Sequence, residues 1–254
     1  MVFVSRFNLV VLQARMSSSR LPGKVMMKIN NKPMIYWQIQ RVLEAKNVTK
    51  LIVATSVDTT DDPLVRFLEA NSIAVHRGSL DNVLSRFIEV GTKFPYDALI
   101  RLTGDCPLVM PELIDEMVDK FYEEEVDYLS NTLQPTFPDG LDIEIVKRGV
   151  LEDLATFNLE NKDLEHVTFG IYSRPERFKL SNFMNDSDRS LDRWTVDYQE
   201  DMDFVREIFA EFSAREAKFS YQEVCNFLAE KPGLQSEMSA YMRNEQLNRD
   251  DHHA

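Results

Sequence analysis

Residues 9–24 read Leu9-Val-Val-Leu-Gln-Ala-Arg15-Met-Ser-Ser-Ser-Arg20-Leu-Pro-Gly23-Lys24. The apolar run at the start has the length of a buried β-strand, and the polar loop after it contains three cations. Arginine binds phosphate oxygens through a planar fork, lysine binds them as a compact charge, and Gly23 lets the backbone approach a ligand. The stretch therefore predicts a strand that leads into a phosphate-binding loop. It matches neither GxxxxGK[ST] nor GxGxxG, so neither a P-loop nor a dinucleotide-binding fold is indicated.

Charge is unevenly distributed along the chain. The first 43 residues contain seven basic side chains and no acidic one, whereas the whole chain of 254 residues has a formal charge of −13. A basic segment on a body that repels anions favours a specific anion site, although a solvated basic loop is the alternative interpretation. The acidic balance argues against nonspecific binding to nucleic acid.

Composition and cysteine spacing indicate a cytoplasmic protein. No apolar stretch approaches the ~20 residues that span a bilayer, so no membrane association is expected. The Arg- and Ser-rich N-terminus resembles a transit peptide, but its strand pattern and Pro-Gly turn suit folded structure better. Cys106 and Cys225 lie far apart without CxxC spacing, which predicts neither a disulfide framework nor a zinc site.

Apolar runs of strand length alternate with helical patterns. Strands are predicted at 8–13, 51–55, 73–76, 98–102, 128–130, 141–146 and 193–196. Helices are predicted at 33–45, 63–70, 81–90, 111–123, 151–157, 162–170 and 199–212. This alternation predicts an α/β fold, in which helices cover both faces of a mostly parallel sheet. We expect one domain over residues 1–230 and a C-terminal extension over 231–254 that runs from helical to disordered.

Four aspartates lie where strands end or helices begin. Asp105 follows the strand 98–102, and Asp197 ends Trp194-Thr-Val-Asp197. Ligands of open parallel sheets bind beyond the carboxyl ends of the strands, where two carboxylates could share one Mg²⁺ with substrate phosphates. Turn formation by Asp105 and N-capping of the next helix by Asp197 are the alternatives. Asp61 and Asp62, which precede the helix 63–70, suit the positive end of that helix.

Six blocks of sequence resemble the cytidylyltransferase family. The closest branch is the SpsF type (spore coat polysaccharide biosynthesis protein), and the CMP-Kdo and CMP-sialic acid synthetases are more distant. The blocks are residues 12–24, 78–86, 101–108, 138–144, 165–168 and 193–201. One departure is Tyr198-Gln199, because the family motif often has Thr-Pro there and the proline would start the helix.

The resemblance implies a fold, a cofactor and site residues. The fold is a three-layer α/β/α sandwich of the nucleotide-diphospho-sugar transferase type with a mostly parallel mixed sheet, and the cofactor is Mg²⁺, bound by Asp105 and Asp197. The implied nucleotide-binding residues are Gln13, Ala14, Arg15, Arg20, Lys24, Gly78, Ser79, Asp81, Asn82, Val83, Thr103 and Gly104. The catalytic residues are Arg15, Lys24, Asp105 and Asp197, whereas Asp142, Glu144 and His166 face the acceptor.

The implied reaction transfers CMP from CTP to an acidic sugar or a phosphorylated small acid and releases pyrophosphate, in surface polysaccharide biosynthesis. A metal-dependent glycosyltransferase is one alternative, but such an enzyme usually places a DxD motif near a strand end, whereas Asp201-Met-Asp203 lies in a predicted helix. A nucleotide-binding module without chemistry is the other. The resemblance also implies a homodimer, and apolar residues within 151–169 could form either its interface or part of the core.

Overall fold

The centre of the protein is a mixed β-sheet in a computed structural model, which describes residues 6–215 and 218–236. The strands are β1 (Asn8–Gln13), β2 (Lys28–Ile29), β3 (Lys32–Pro33), β4 (Lys50–Ser56), β5 (Val75–Gly78), β6 (Ala98–Thr103), β7 (Tyr128–Ser130), β8 (Glu144–Lys147) and β9 (Leu180–Asn182). Seven of them form one sheet in the order β5-β4-β1-β6-β8-β7-β9. Only β8 runs antiparallel to its neighbours in this sheet, and β2 and β3 pair as a separate antiparallel hairpin.

Helices cover both faces of the sheet. They are α1 (Met34–Glu44), α2 (Asp62–Ala70), α3 (Val83–Lys93), α4 (Pro111–Glu124), α5 (Val150–Leu154), α6 (Asn161–Glu165), α7 (Phe169–Tyr172), α8 (Gln199–Glu211), α9 (Tyr221–Glu230) and α10 (Pro232–Ser236). Side chains of β1 alternate between the faces, so Val10 and Leu12 join the apolar core beneath α1, α4 and α8, whereas Leu9 and Val11 join the core beneath α3 and α5. The predicted three-layer α/β/α sandwich is therefore confirmed.

The predicted strand 193–196 is wrong as a strand of the sheet. Its only ladder contact among the described residues is one isolated parallel bridge between Arg193 and Asp139. The amide of Trp194 donates to the Asp139 carbonyl at 2.6 Å, and that of Val196 donates to the Asp105 carbonyl at 2.8 Å. The segment therefore crosses the loops beyond the carboxyl ends of the strands instead of extending the sheet.

The predicted helix 162–170 is divided into α6 and α7. Val167 lies between them with a φ of 54°, a left-handed conformation that interrupts the helix. Leu151, Leu154 and Val167 are buried in the core beneath the sheet, so these apolar positions of the segment 151–169 belong to the core. The homodimer stays a prediction.

The C-terminal region is described only in part. Helix α10 ends at Ser236, and residues 237–254 of the predicted extension lie outside the described residues. The division into a domain and an extension therefore stays a prediction. Within 6–215 and 218–236, no helix is long and apolar enough to cross a bilayer.

Candidate active site

A cleft lies beyond the carboxyl ends of β1 and β6. These strands are parallel neighbours in which Gln13 pairs with Thr103, so the loops that follow them start side by side. The cleft has a volume of about 300 Å³. The predicted site residues that line it are Gln13, Ala14, Arg15, Arg20, Lys24, Thr103, Gly104, Asp105, Asp142, Glu144, His166 and Asp197. The fold thus brings together most of the predicted site from distant parts of the chain.

Lys24 lies between the two aspartates at the centre of this cleft. Its Nζ donates to Oδ2 of Asp105 at 3.3 Å, to Oδ1 of Asp197 at 2.9 Å and to the carbonyl of Val196 at 2.7 Å. The lysine is only 7% exposed, so these three oxygens replace water around the ammonium group. Both carboxylates therefore converge on a single cation.

The charges of this cluster stabilise one another. Burial alone lowers the pKa of the Lys24 ammonium, but the carboxylates of Asp105 and Asp197 outweigh burial and raise the pKa. Burial alone raises the pKa of Asp105, but the charge of Lys24 and hydrogen bonds outweigh it and lower the pKa to about 2. Near neutral pH the cluster therefore contains an ammonium ion and an Asp105 carboxylate.

The side chain of Asp197 is positioned by two arginines in addition to Lys24. Arg20 contacts its Oδ1 at 2.6 Å, and Arg193 contacts its Oδ2 at 3.2 Å. Arg193 also binds Asp139 at 3.1 Å and Asp201 at 2.9 Å. Arg193 was not among the predicted site residues, although its place in the block 193–201 pointed to a role. The buried guanidinium orients the carboxylate that faces Lys24.

Asp197 is not the N-cap of the helix that follows. Helix α8 begins at Gln199, and the buried carboxylate of Asp201 accepts from the amides of Asp197 at 2.7 Å and Tyr198 at 2.9 Å. Asp201 therefore binds the free amides at the start of the helix. This leaves the carboxylate of Asp197 in the cleft, and the helix starts without the family's proline.

Asp105 also does more than form a turn. Its carboxylate faces Lys24, while its backbone carbonyl accepts from the amide of Val196. Its neighbour Cys106 lines the cleft, but burial and the charge of Asp105 raise the pKa of the Cys106 thiol well above its usual value. The thiol is therefore protonated near neutral pH and is not suited to act as a nucleophile.

Gly140 allows the backbone of the segment 193–196 to pass close to the loop that contains this glycine. Its φ is +107°, and a Cβ atom there would lie 2.5 Å from the carbonyl carbon of Trp194 and would also overlap the nitrogen of Thr195. Any side chain at this position must displace the segment that ends in Asp197.

We expect Gly140→Ala to lower the free energy of unfolding by about 3 kcal/mol, because backbone strain adds to steric overlap. Activity should fall as well, since Asp197 would move. Gly149→Ala is the matched control, because Gly149 has a φ of +86° but no atom within 4 Å of its Cβ position. Denaturant unfolding and turnover measure both effects. If the two variants lost equal amounts of unfolding free energy, the close contact between Gly140 and the segment 193–196 would not explain the loss.

Glu144, which was predicted to face the acceptor, lines the cleft and has protein partners for its carboxylate. This buried carboxylate accepts hydrogen bonds from Arg101, Thr168 and, at 2.5 Å, the hydroxyl of Tyr128. The guanidinium of Arg101 also donates to Oε1 of Gln13 at 3.3 Å. Glu144 therefore orients Arg101, a cleft residue that was not among the predicted site residues. Asp142 and His166 line the cleft, so their predicted role toward an acceptor stays a prediction.

The predicted nucleotide-binding segment Gly78, Ser79, Asp81, Asn82 and Val83 does not line the cleft. It follows β5, the edge strand beyond β4. The side chain of Asn82 accepts from the amide of Ser85 and caps α3, and Val83 is buried in the core. The contribution of this segment to nucleotide binding stays a prediction.

The motif Asp201-Met-Asp203 does not form a metal site. Asp201 is fully buried against Arg193, whereas Asp203 is exposed on α8 and pairs with Arg206 at 2.8 Å. The two carboxylates therefore have separate partners. Both residues lie in α8, as predicted, and not near a strand end where a glycosyltransferase would usually place its DxD motif.

Asp105 and Asp197 fit a magnesium ion that also binds substrate. Among the residues the structure describes, no group of three or more His, Cys, Asp or Glu side chains could hold a metal by itself. Magnesium in phosphoryl-transfer sites commonly uses one or two carboxylates and takes its other ligands from phosphates and water. Two hard oxygen donors that already converge on one cation meet that requirement.

Solved structures identify the class of protein. The chain superimposes with a TM-score of 0.87 and 28% identity on a cytidylyltransferase from Leptospira borgpetersenii, over 93% of this chain and all of that one. It also superimposes with a TM-score of 0.63 and 20% identity on CMP:2-keto-3-deoxy-manno-octonic acid synthetase in complex with CTP, over 81% of this chain and 99% of that one. The fold is therefore that of nucleotidyltransferases of the nucleotide-diphospho-sugar transferase type.

Sequence relatives define the family. The Cytidylyltransferase family profile matches residues 9–223, and the chain belongs to this family. It is 32% identical to the spore coat polysaccharide biosynthesis protein SpsF of Bacillus subtilis, over 91% of this chain and 98% of that one. It is 30% identical to the 3-deoxy-manno-octulosonate cytidylyltransferase of Geotalea daltonii, over 45% of this chain and 44% of that one. The SpsF-type resemblance is confirmed.

Proposed function

We propose that this protein transfers CMP from CTP to an acidic sugar or a phosphorylated small acid, with release of pyrophosphate, in surface polysaccharide biosynthesis. The observation that carries the proposal is the convergence of Asp105 and Asp197 on Lys24 beside the basic loop. A relative named for CMP transfer to an octulosonate and another named for polysaccharide synthesis support the choice of acceptor class. Cytoplasmic location and a homodimer remain predictions.

The basic loop and the two aspartates have distinct roles in this proposal. Arg15 and Arg20 bind the polyphosphate, and Lys24 stabilises charge that develops as the α-phosphate is attacked. Asp105 and Asp197 would hold Mg²⁺, which when bound neutralises charge on the phosphate groups. Positioning and electrostatics thus account for the rate.

The acceptor attacks directly, without a covalent enzyme intermediate. An anionic oxygen of the acceptor forms a bond to the α-phosphorus of CTP while the bond to the pyrophosphate oxygen breaks. The protonated thiol of Cys106, the cysteine in the cleft, agrees with this route. A hydroxyl acceptor would need a general base, and Asp142, which lines the cleft, could serve.

The decisive experiment is a screen for pyrophosphate release. Four nucleoside triphosphates are crossed with a panel of acidic sugars and phosphorylated small acids, with Mg²⁺ present. We expect pyrophosphate with CTP and one class of acceptor, and an Asp105→Asn variant controls for contaminating hydrolases. In a parallel assay with nucleotide sugars in place of the triphosphates, release of a nucleoside diphosphate would indicate a glycosyltransferase. Magnesium-dependent thermal stabilisation by CTP without any turnover would indicate a binding module.

A further inference from the structure

Asp61 is a buried carboxylate behind the basic loop. It follows β4 and has no exposed surface. Its Oδ1 accepts from the amide of Met16 at 2.6 Å. Its Oδ2 accepts from the hydroxyl of Thr55 at 2.8 Å and from the amide and hydroxyl of Ser56 at 3.0 and 2.5 Å. Asp61 lies at the start of α2, as the sequence indicated, but its side chain makes no capping hydrogen bond to that helix.

Met16 connects Asp61 to the cations of the loop. While its amide binds Asp61, its carbonyl accepts from the amides of Ser18 at 3.0 Å and Gly23 at 2.9 Å. Both backbone polar groups of this residue are therefore committed. Arg15 directly precedes it, and Arg20 lies inside the turn that the bond from Gly23 closes. The position of both guanidinium groups thus depends on where Met16 is held.

The surroundings of Asp61 stabilise the negative charge of its carboxylate. Burial alone raises the pKa of its carboxyl, but the hydrogen bonds from Met16, Ser56 and Thr55 outweigh burial and lower the pKa. The ionised group also interacts favourably with the buried guanidinium of Arg86, which is close enough to Arg15 for the two like charges to repel. Asp61 thus places a negative charge where two cations approach each other.

We infer that Asp61 is a positioning residue of the nucleotide site, which fixes the basic loop on the sheet so that Arg15 and Arg20 face the polyphosphate. This inference rests on the proposed function, because it assigns polyphosphate binding to the loop. Asp61 does not line the cleft. Its effect on nucleotide binding is therefore transmitted through the amide of Met16.

The test is calorimetric binding of Mg²⁺–CTP and of inorganic tripolyphosphate at a temperature where every variant is folded. Asp61→Asn keeps the shape but loses the charge and presents an NH₂ group to donors. We expect both dissociation constants to rise at least about tenfold, or ~1.4 kcal/mol. Asp62→Asn is the matched control, because Asp62 is partly exposed and pairs with Arg77 at 2.8 Å. It should bind both ligands like the wild type.

A double-mutant cycle with Arg15→Met separates positioning from general destabilisation. If Asp61 acts by placing the loop, Arg15→Met should cost much less affinity in the Asp61→Asn background than in the wild type. Additive losses, or unchanged binding by Asp61→Asn, would overturn the positioning role alone. A wild-type protein that binds neither CTP nor tripolyphosphate would overturn the proposed function and this inference together.

Discussion

An Asp105→Ala variant should fold normally and lose at least about 10²-fold in turnover, the scale of removing one main electrostatic contributor. The substitution keeps the backbone carbonyl that accepts from the amide of Val196, so the segment 193–196 should stay in place. It removes one of the two carboxylates that converge on the cation position. Steady-state pyrophosphate release measures the loss, and circular dichroism tests the fold.

The dependence of CTP affinity on Mg²⁺ gives a second test of the role of Asp105. If Asp105 holds the ion, the increase in CTP affinity that Mg²⁺ causes should largely disappear in the variant. Asp203→Asn is the charge-matched control, because it removes an exposed carboxylate on α8 that pairs with Arg206. Near-normal turnover by Asp105→Ala would refute the metal assignment, whatever the control shows.

The second large effect is expected for Lys24→Met. In the wild type, the ammonium group of Lys24 should interact more strongly with the transition state than with bound CTP. The kcat of the variant should therefore fall about 10²-fold or more, while its KM changes little. Initial-rate kinetics over a range of CTP concentrations separate the two parameters. A rise in KM alone would mean that Lys24 only binds the ground state.

The same variant has a second readout that does not depend on turnover. Without the ammonium group, the carboxylates of Asp105 and Asp197 face each other without the cation that both contact. We expect a lower melting temperature without divalent ions and a larger increase on addition of Mg²⁺ than in the wild type. Lys28→Met is a suitable control, because Lys28 is an exposed residue of the same basic segment.

The correspondence between sequence and structure is closest where one short segment defines an element. The apolar run at β1 matches residues 8–13 at both ends, and α4 begins at the predicted Pro111. The segment 193–196 fails for a physical reason. The apolar residues of this segment are as buried as those of a central strand. Their neighbours, however, are loops beyond the carboxyl ends of the strands. A buried apolar sequence therefore does not by itself show that the segment pairs with another strand.

The candidate site was predictable in its residue types and less so in their roles. Lys24, Asp105 and Asp197 lie in motifs that end at strand or loop boundaries, so the sequence pointed to them. Glu144 lies in such a motif too, but the structure makes it the partner of Arg101. A motif identifies a residue at the site, whereas the partners of its side chain decide between contacting a ligand and orienting a neighbour.

By itself, the sequence determined the alternation of strands and helices, the basic loop after β1 and the family, because periodicity and short motifs are local properties of the chain. Only the tertiary structure decided that Lys24 meets Asp105 and Asp197, which are 81 and 173 residues away along the chain. It likewise decided that Asp61 holds the basic loop and that Asp201 binds the amides at the start of α8. Such pairs depend on which loops converge at the sheet edge, and strand order and register set that convergence.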